Sequence, residues 1–381
     1  MKLLHTADWH LGRSLGGIPL LADQRHALEQ LLDVVDDKRP DVLLIAGDIY
    51  DRALPPMDAI ELLDWVLMEL LHVRNLPTVI IPGNHDNAVR LGFGRRLLES
   101  SGLHLRTGLD SCNQPIEVEK DGSRLEVFAV PYAEPARVRE LTRDEGAATH
   151  DTAMAALMQR LPQRRAGTRR VVMAHAFVTG GQESDSERML SVGGSGCISA
   201  AHFGDTDYVA LGHLHKPQAV EGDAVRYAGS IAKYSFSEEA HQKSYTVVTL
   251  GEDRSSSIEE IPISPLRGMR TIRGVFDDIE AEARRNPSKD FLRIELQDRS
   301  LVLDAHGRLE KYYPNIVEIY RPGLGEIAGG EALPVRLDAV GPLDHFESFF
   351  EYVRGEQLTS EERELLAEII AGITTSQEGE G

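Results

Sequence analysis

Cysteine is nearly absent. Cys112 and Cys197 are the only two in 381 residues and sit in no CxxC pair, which argues against a disulfide framework and against a thiolate zinc site. A reducing cytoplasm is the expected setting. No apolar run approaches the roughly 18 residues needed to span a bilayer. No cleaved leader is expected, because Lys2 runs at once into Leu3-Leu4-His5-Thr6-Ala7-Asp8, which reads as a strand entering a motif. Positive charge is also scarce. With 41 Lys+Arg against 61 Asp+Glu, the net charge of −20 repels a polyanion at long range. Internal repeats and low-complexity tracts are missing as well. What remains is an ordinary globular composition, 41% hydrophobic and 27% charged.

Apolar runs alternate with amphipathic stretches over the first 260 or so residues. Strands are predicted at 2–7, 41–46, 78–81, 125–130, 170–174, 208–211, 225–228 and 244–250, with helices over 20–38 and 57–74. That alternation predicts a layered α/β fold, with a second, partly antiparallel sheet where loops replace the long helices. Pro262–Pro265 reads as a boundary. Beyond it, strands near 269–275, 291–296 and 317–320 and an acidic helix near 277–285 predict a small α+β domain. Residues 323–330 are glycine-rich and read as a connection. The expected division is 1–265, 266–335 and 336–381. The last part carries two amphipathic helices, one with Leu343, Phe346, Phe349 and Phe350 on a face. The other opens on a Thr359–Glu362 capping box, and its stripe includes Leu365, Leu366 and Ile369.

Five motifs place coordinating side chains just after apolar strands: Asp8-Trp9-His10, Gly47-Asp48-Ile49-Tyr50-Asp51, Gly83-Asn84-His85-Asp86, His175, and Gly212-His213-Leu214-His215. Open α/β sheets build their sites in the crevice beyond these strand ends. In Asp8/His10 and His213/His215, residues i and i+2 of extended chain point to one side and can reach one ion. Carboxylate oxygen, amide oxygen and imidazole nitrogen without sulfur suit Mn²⁺, Fe²⁺ or Zn²⁺ at a catalytic site. So many convergent groups exceed the needs of one ion, whereas two ions about 3.5–4 Å apart with a shared carboxylate would use them all. Taken singly, each motif has a plainer reading, such as a turn for Gly-Asp-x-x-Asp or a core histidine for His175. Their joint order does not.

That ordered set resembles the calcineurin-like metallophosphoesterases, whose fold is a two-sheet sandwich flanked by helices. The longer stretches His5–Gly12, Glu183–Arg188, Asp207–His215, Tyr227–Ser230 and Tyr234–Glu238 resemble, more narrowly, the nuclease subunits of SbcCD-type repair complexes. The resemblance covers residues 1–250 strongly and the rest weakly. It implies that Asp8, His10 and His215 hold one ion, that Asn84, His175 and His213 hold the other, and that Asp48 bridges. It also implies that His85 faces the scissile phosphate. Manganese is the expected metal, with Mg²⁺, Fe²⁺ and Zn²⁺ as alternatives. Asp51 and Asp86 are expected to orient ligands, and Arg52 and Arg90 to touch phosphate.

Complexes of this kind cleave DNA ends and hairpins with ATP, yet the chain has no Walker A motif, so ATP binding would belong to a partner. The resemblance implies an SbcC-type coiled-coil ATPase docked on the C-terminal helices, a capping domain at 266–335 that helps place DNA, and a homodimer within a heterotetramer. Bound cations, or a basic partner, would reconcile the acidic chain with a DNA substrate. Two other readings are a stand-alone phosphatase or phosphodiesterase for a small molecule, which suits the acidity, and a non-catalytic scaffold. The eight intact site residues speak against a scaffold.

Overall fold

The computed structural model describes residues 1–187, 196–298 and 302–322, together with Leu343, Glu347, Phe350, 357–360, Glu362, Arg363 and 365–367. Phe346, Phe349, Ile369 and the glycine-rich stretch 323–330 lie outside the described residues.

Two six-stranded sheets form the centre. In the first, β1 (Lys2–Thr6), β2 (Val42–Ala46), β3 (Thr78–Ile81) and β4 (Leu103–Leu105) run parallel in that order. In the second, β5 (Ile116–Lys120) pairs antiparallel with β6 (Ser123–Val130). Parallel neighbours β7 (Thr168–His175), β8 (Tyr208–Gly212) and β10 (Val225–Tyr227) follow, and β9 (Gln218–Ala219) closes the edge. The first sheet's other edge is antiparallel, with β11 (Ser244–Leu250) against β1 and β12 (Ser256–Pro262) outside it. The central strands Val42–Ala46 and Thr168–His175 are buried at every position, as expected of parallel strands covered on both faces.

The layers follow from where apolar side chains can hide. Leu3, Val42, Leu44 and Val79 of the first sheet meet Val127, Val171, Met173 and Tyr208 of the second in a shared core. The outer face of the first sheet is covered by α1 (Leu21–Lys38) and α2 (Met57–Met68). Leu28, Leu31, Leu32 and Val35 make the buried stripe of α1, at the three- and four-residue spacing that one helix face requires. The outer face of the second sheet is covered by α3 (Pro135–Thr142) and α4 (His150–Met158). The predicted α/β sandwich with helical flanks is therefore observed. Among the described residues, no helix is long and apolar enough to cross a membrane.

Beyond Pro262 a parallel three-stranded sheet, β13 (Met269–Gly274), β14 (Phe291–Leu296) and β15 (Ile316–Tyr320), packs with α5 (Phe276–Arg285) and α6 (Ala305–Glu310) around its own core. Leu15, Leu20, Tyr234 and Phe236 meet Met269 and Phe291 at the junction with the sandwich. Glu239 accepts from Thr271 N at 3.1 Å and from its hydroxyl at 2.7 Å, and Arg267 pairs with Asp23. In the tail the capping box forms as predicted: Thr359 N donates to Glu362 Oε2 at 2.9 Å, and Glu362 N to Thr359 Oγ1 at 3.3 Å.

Candidate metal centre

Every motif singled out in the sequence leaves the C-terminal end of a parallel strand. Asp8 and His10 follow β1, Asp48 follows β2, and Asn84 and His85 follow β3; His175 ends β7, and His213 and His215 follow β8. Three strands come from one sheet and two from the other, so the site lies where the two C-terminal edges meet. The join is covered by hydrogen bonds across the sandwich. His175 Nδ1 bonds the Ala46 carbonyl at 2.9 Å, and the His213 amide donates to both oxygens of Asp8 at 3.0 and 3.1 Å.

Packing this close explains the glycines. A Cβ on Gly212 would fall on the Ala46 carbonyl oxygen, and one on Gly47 would fall on the His175 ring. Gly47 also has a φ of 95°, a region glycine reaches freely. Sharp turning is thus only part of the reason for glycine before the ligands; at Gly212 the need is space alone. Strain is taken up by the ligands themselves. Asp8, His10, Asp48 and His213 have φ of 53°, 43°, 49° and 111°. Such conformations cost about 1–3 kcal/mol each and persist where the surrounding fold over-determines them.

The side chains gather in two clusters around one carboxylate. Asp8, His10 and His215 bring ligand atoms together at one end. At the other, the Asn84 Oδ1 lies 3.0 Å from His175 Nε2 and 3.2 Å from His213 Nδ1. Asp48 Oδ2 sits between them, 3.6 Å from His10 Nε2 and 3.5 Å from His175 Nε2. Its other oxygen accepts from the His85 amide at 2.9 Å.

The donor chemistry asks for cations. Burial keeps the His175 and His215 imidazoles at a pKa of about 4, so both rings are neutral near pH 7. Burial and neighbouring imidazoles hold His10 and His213 well below the usual range too. With its Nδ1 proton given to Ala46, His175 turns a lone pair on Nε2 toward the Asn84 carbonyl oxygen. His215 Nδ1 bonds Ser186 Oγ at 2.6 Å, which leaves Nε2 of His215 facing Nε2 of His10 at 3.1 Å. His10 Nδ1 is buried without a hydrogen-bond partner. Burial and the charge of Asp48 push Asp8 well above the usual carboxylate range. A His175 Nε2 lone pair against an amide oxygen, a bare His215 Nε2 and a carboxylate reluctant to ionise fit bound divalent cations.

The remaining predicted residues divide. Asp86 turns away from the clusters and accepts from the amides of Ile49, Tyr50 and Gly83 at 3.0, 2.9 and 2.9 Å, locking the β2 and β3 loops together. Burial and Asp48 raise it to about 6. Asp51 Oδ1 lies 3.7 Å from His10 Nδ1. Arg52 is exposed beside Asp51, and Arg90 lines a separate groove with Tyr50 and Phe93.

A buried support behind His215 draws on residues to which the sequence reading gave no role. Ser186 relays the His215 ring to Glu238 Oε1 at 2.5 Å, and Lys243 Nζ donates to Glu238 Oε2 at 2.5 Å and to the His215 carbonyl at 2.6 Å. Glu187 accepts from the His215 amide at 2.7 Å. Burial alone would raise Glu238, but Lys243 and His215 outweigh it and hold the carboxylate ionised. Arg13 adds a cation, 3.6 Å from Asp51 and stacked 4.9 Å over the Tyr234 ring. A serine, two acids and a lysine carry this network, with no spacing rule to mark them. Such partners fix the tautomer of a ligand histidine. Ser186→Ala is expected to weaken metal affinity about 10–100-fold while the protein stays folded, as titration calorimetry with Mn²⁺ would measure; unchanged affinity would contradict the orienting role.

The chain is similar to several known proteins. Similar solved structures include TT1561 of Thermus thermophilus, at 15% identity over 68% of this chain and 98% of that chain, with a TM-score of 0.38. Another is the calcineurin-like phosphoesterase YfkN from Bacillus subtilis, at 11% identity over 68% and 90%, TM-score 0.38. A dimetal phosphatase from Danio rerio matches at 14% over 69% and 99%, TM-score 0.38. Residues 265–354 match the SbcD_C family, described as Type 5 capsule protein repressor C-terminal domain. Residues 1–217, more than half of the chain, match the calcineurin-like phosphoesterase model, so the chain belongs to the calcineurin-like phosphoesterases, a family of phosphoester hydrolases that use divalent metal ions.

Proposed function

We propose that this phosphoesterase is the nuclease subunit of a DNA-repair complex, hydrolysing DNA phosphodiesters at a two-metal site. The observation that carries the reading is the pairing, in one chain, of the phosphoesterase match with the SbcD_C match at 265–354. In this reading Asp8, His10 and His215 hold one ion, Asn84, His175 and His213 hold the second, and Asp48 bridges. The equal reach of Asp48 Oδ2 toward His10 and His175 supports the bridge. The mixed oxygen and nitrogen set favours manganese. When bound, two such ions neutralise charge on the phosphoryl oxygens and lower the pKa of water.

The chain's own residues do the rest. His85 Nδ1 donates to the Asp51 carbonyl at 2.8 Å, which leaves Nε2 to exchange a proton with the leaving oxygen. The His85 amide on Asp48 ties that ring to the bridging carboxylate, so catalyst and ligand keep one register. Asp51 and Asp86 hold the loops that carry them. His85→Gln is expected to keep both ions and lower DNA cleavage by about 10²–10⁴-fold, measured as single-turnover rate beside bound-metal content. Full activity in the variant would remove His85 from its role.

The partner in this reading is an SbcC-type coiled-coil ATPase, docked on the tail around Leu343, Phe346, Phe349, Phe350, Leu365, Leu366 and Ile369, with the small domain after residue 265 helping to cap the DNA. Val89, Phe93 and Leu97 are 86%, 86% and 81% exposed, and exposed apolar side chains of this kind support a homodimer. Cys112 and Cys197 are both free, which suits a reducing cytoplasm. Removing residues 343–381 is expected to spare cleavage of a small chromogenic phosphodiester and abolish co-purification with the ATPase. A truncated chain that still brings the ATPase down would end the docking idea.

A further inference from the structure

Five central parallel strands, β1, β2, β3, β7 and β8, lead into ligands at their C-terminal ends; β6, parallel to its neighbour β7, supplies none. Its C-terminal end carries Pro131 and Tyr132 instead. Tyr132 is fixed there by its amide, which donates to the Pro82 carbonyl at 3.1 Å, on the same loop that presents Asn84. Its ring meets the His175 ring edge-on, with centroids 6.4 Å apart at 85°, and tilts at 35° over His150, 5.8 Å away. His150 opens α4 and is itself half-buried.

Tyr132 differs from the structural tyrosines. Tyr208, Tyr227, Tyr234 and Tyr245 are buried, and each gives its hydroxyl to a partner: His5, the Ala176 carbonyl, the Trp9 carbonyl and the Ala27 carbonyl. Tyr132 is half-exposed, and among the described residues its hydroxyl has no hydrogen-bond partner. It lines a groove of about 540 Å³ that begins at Asn84 and runs past Pro82 and Pro131. The groove carries Asp86, Glu134 and Glu140 against Arg137, so it repels phosphate. An uncharged, flat group suits this lining beside the metal clusters better than a second phosphate. A nucleotide has one such part, its base.

We propose that Tyr132, backed by His150, is a stacking platform for the nucleobase adjoining the scissile phosphate. It makes this end of the site select nucleotidyl phosphodiesters over diesters without a base. The proposal rests on the nuclease reading and adds the part of the substrate that the metals do not touch. Stacking on an aromatic face tolerates every base, which suits an enzyme that must cut without regard to sequence. Tyr132 is a positioning residue here, and its effect belongs in substrate affinity more than in the chemical step.

The full chain loaded with Mn²⁺ would be assayed on thymidylyl-thymidine and on two versions lacking one base, at the 5′ or at the 3′ residue. For the unaltered protein, one abasic version is expected to lose roughly ten- to hundredfold in kcat/KM, mainly through KM. Tyr132→Ala is expected to lose about as much on thymidylyl-thymidine and nothing further on that abasic version. Tyr132→Phe, which keeps the ring, is expected to behave as the unaltered protein. An equal loss on all three substrates would mean a structural role only, and no loss on any would mean no contact; either result overturns the platform. If the unaltered protein hydrolyses none of the dinucleotides yet still cleaves a simple aryl phosphomonoester, the nuclease reading falls and the platform with it.

Discussion

Lone pairs crowded together where the edges of the two sheets meet are the constraint on which the rest of the molecule depends. His175 Nε2 toward Asn84 Oδ1, His215 Nε2 near His10 Nε2, and the Asp48 carboxylate between them gather buried groups rich in lone pairs. An arrangement of this kind is unfavourable unless positive charge fills it. The fold holds these groups together by other means. Two sheets packed through a shared apolar core bring their C-terminal edges together, and bonds such as His213 N to Asp8 pin one edge to the other. Four ligands in the left-handed backbone region add strain, and glycines at 47 and 212 remove the atoms that would otherwise separate the loops. Stability in the body of the protein offsets the cost at the rim.

Charge is managed locally. The chain carries −20 overall, yet the buried acids near the site each have a stated partner or role: Glu238 with Lys243, Glu187 on the His215 amide, Asp86 on three amides. Removing the lysine would strand an ionised carboxylate behind a ligand, which is a heavier penalty than losing a surface ion pair. The small domain is tied to the sandwich near this same region, through Glu239 and Arg293, whose guanidinium lies 4.6 Å over Phe236. Its position is thus linked to the segment that supports His215.

Much of the fold was legible in the sequence because central parallel strands are continuous apolar runs. Thr78–Ile81, Ser244–Leu250 and Phe291–Leu296 match their predicted limits residue for residue. The strands that escaped are short or lie near sheet edges. Ile116–Lys120 and Ser256–Pro262 mix apolar residues with glutamates, because one side of an edge strand faces solvent. Helices Pro135–Thr142 and His150–Met158 are short and bury few side chains, so tertiary packing rather than periodicity defines them. The gathering of Asp8, His10, Asp48, Asn84, His175, His213 and His215 was readable because each follows a strand end. The support that Ser186, Glu238 and Lys243 give His215 was not readable, since it depends on a neighbour far along the chain.

The central claim is that these side chains hold a pair of cations. The most direct test is anomalous scattering at the manganese edge from crystals equilibrated with Mn²⁺. The account predicts two peaks about 3.5–4 Å apart, one among Asp8, His10 and His215 and one among Asn84, His175 and His213, with Asp48 between them. A single peak, or peaks away from these residues, would contradict it.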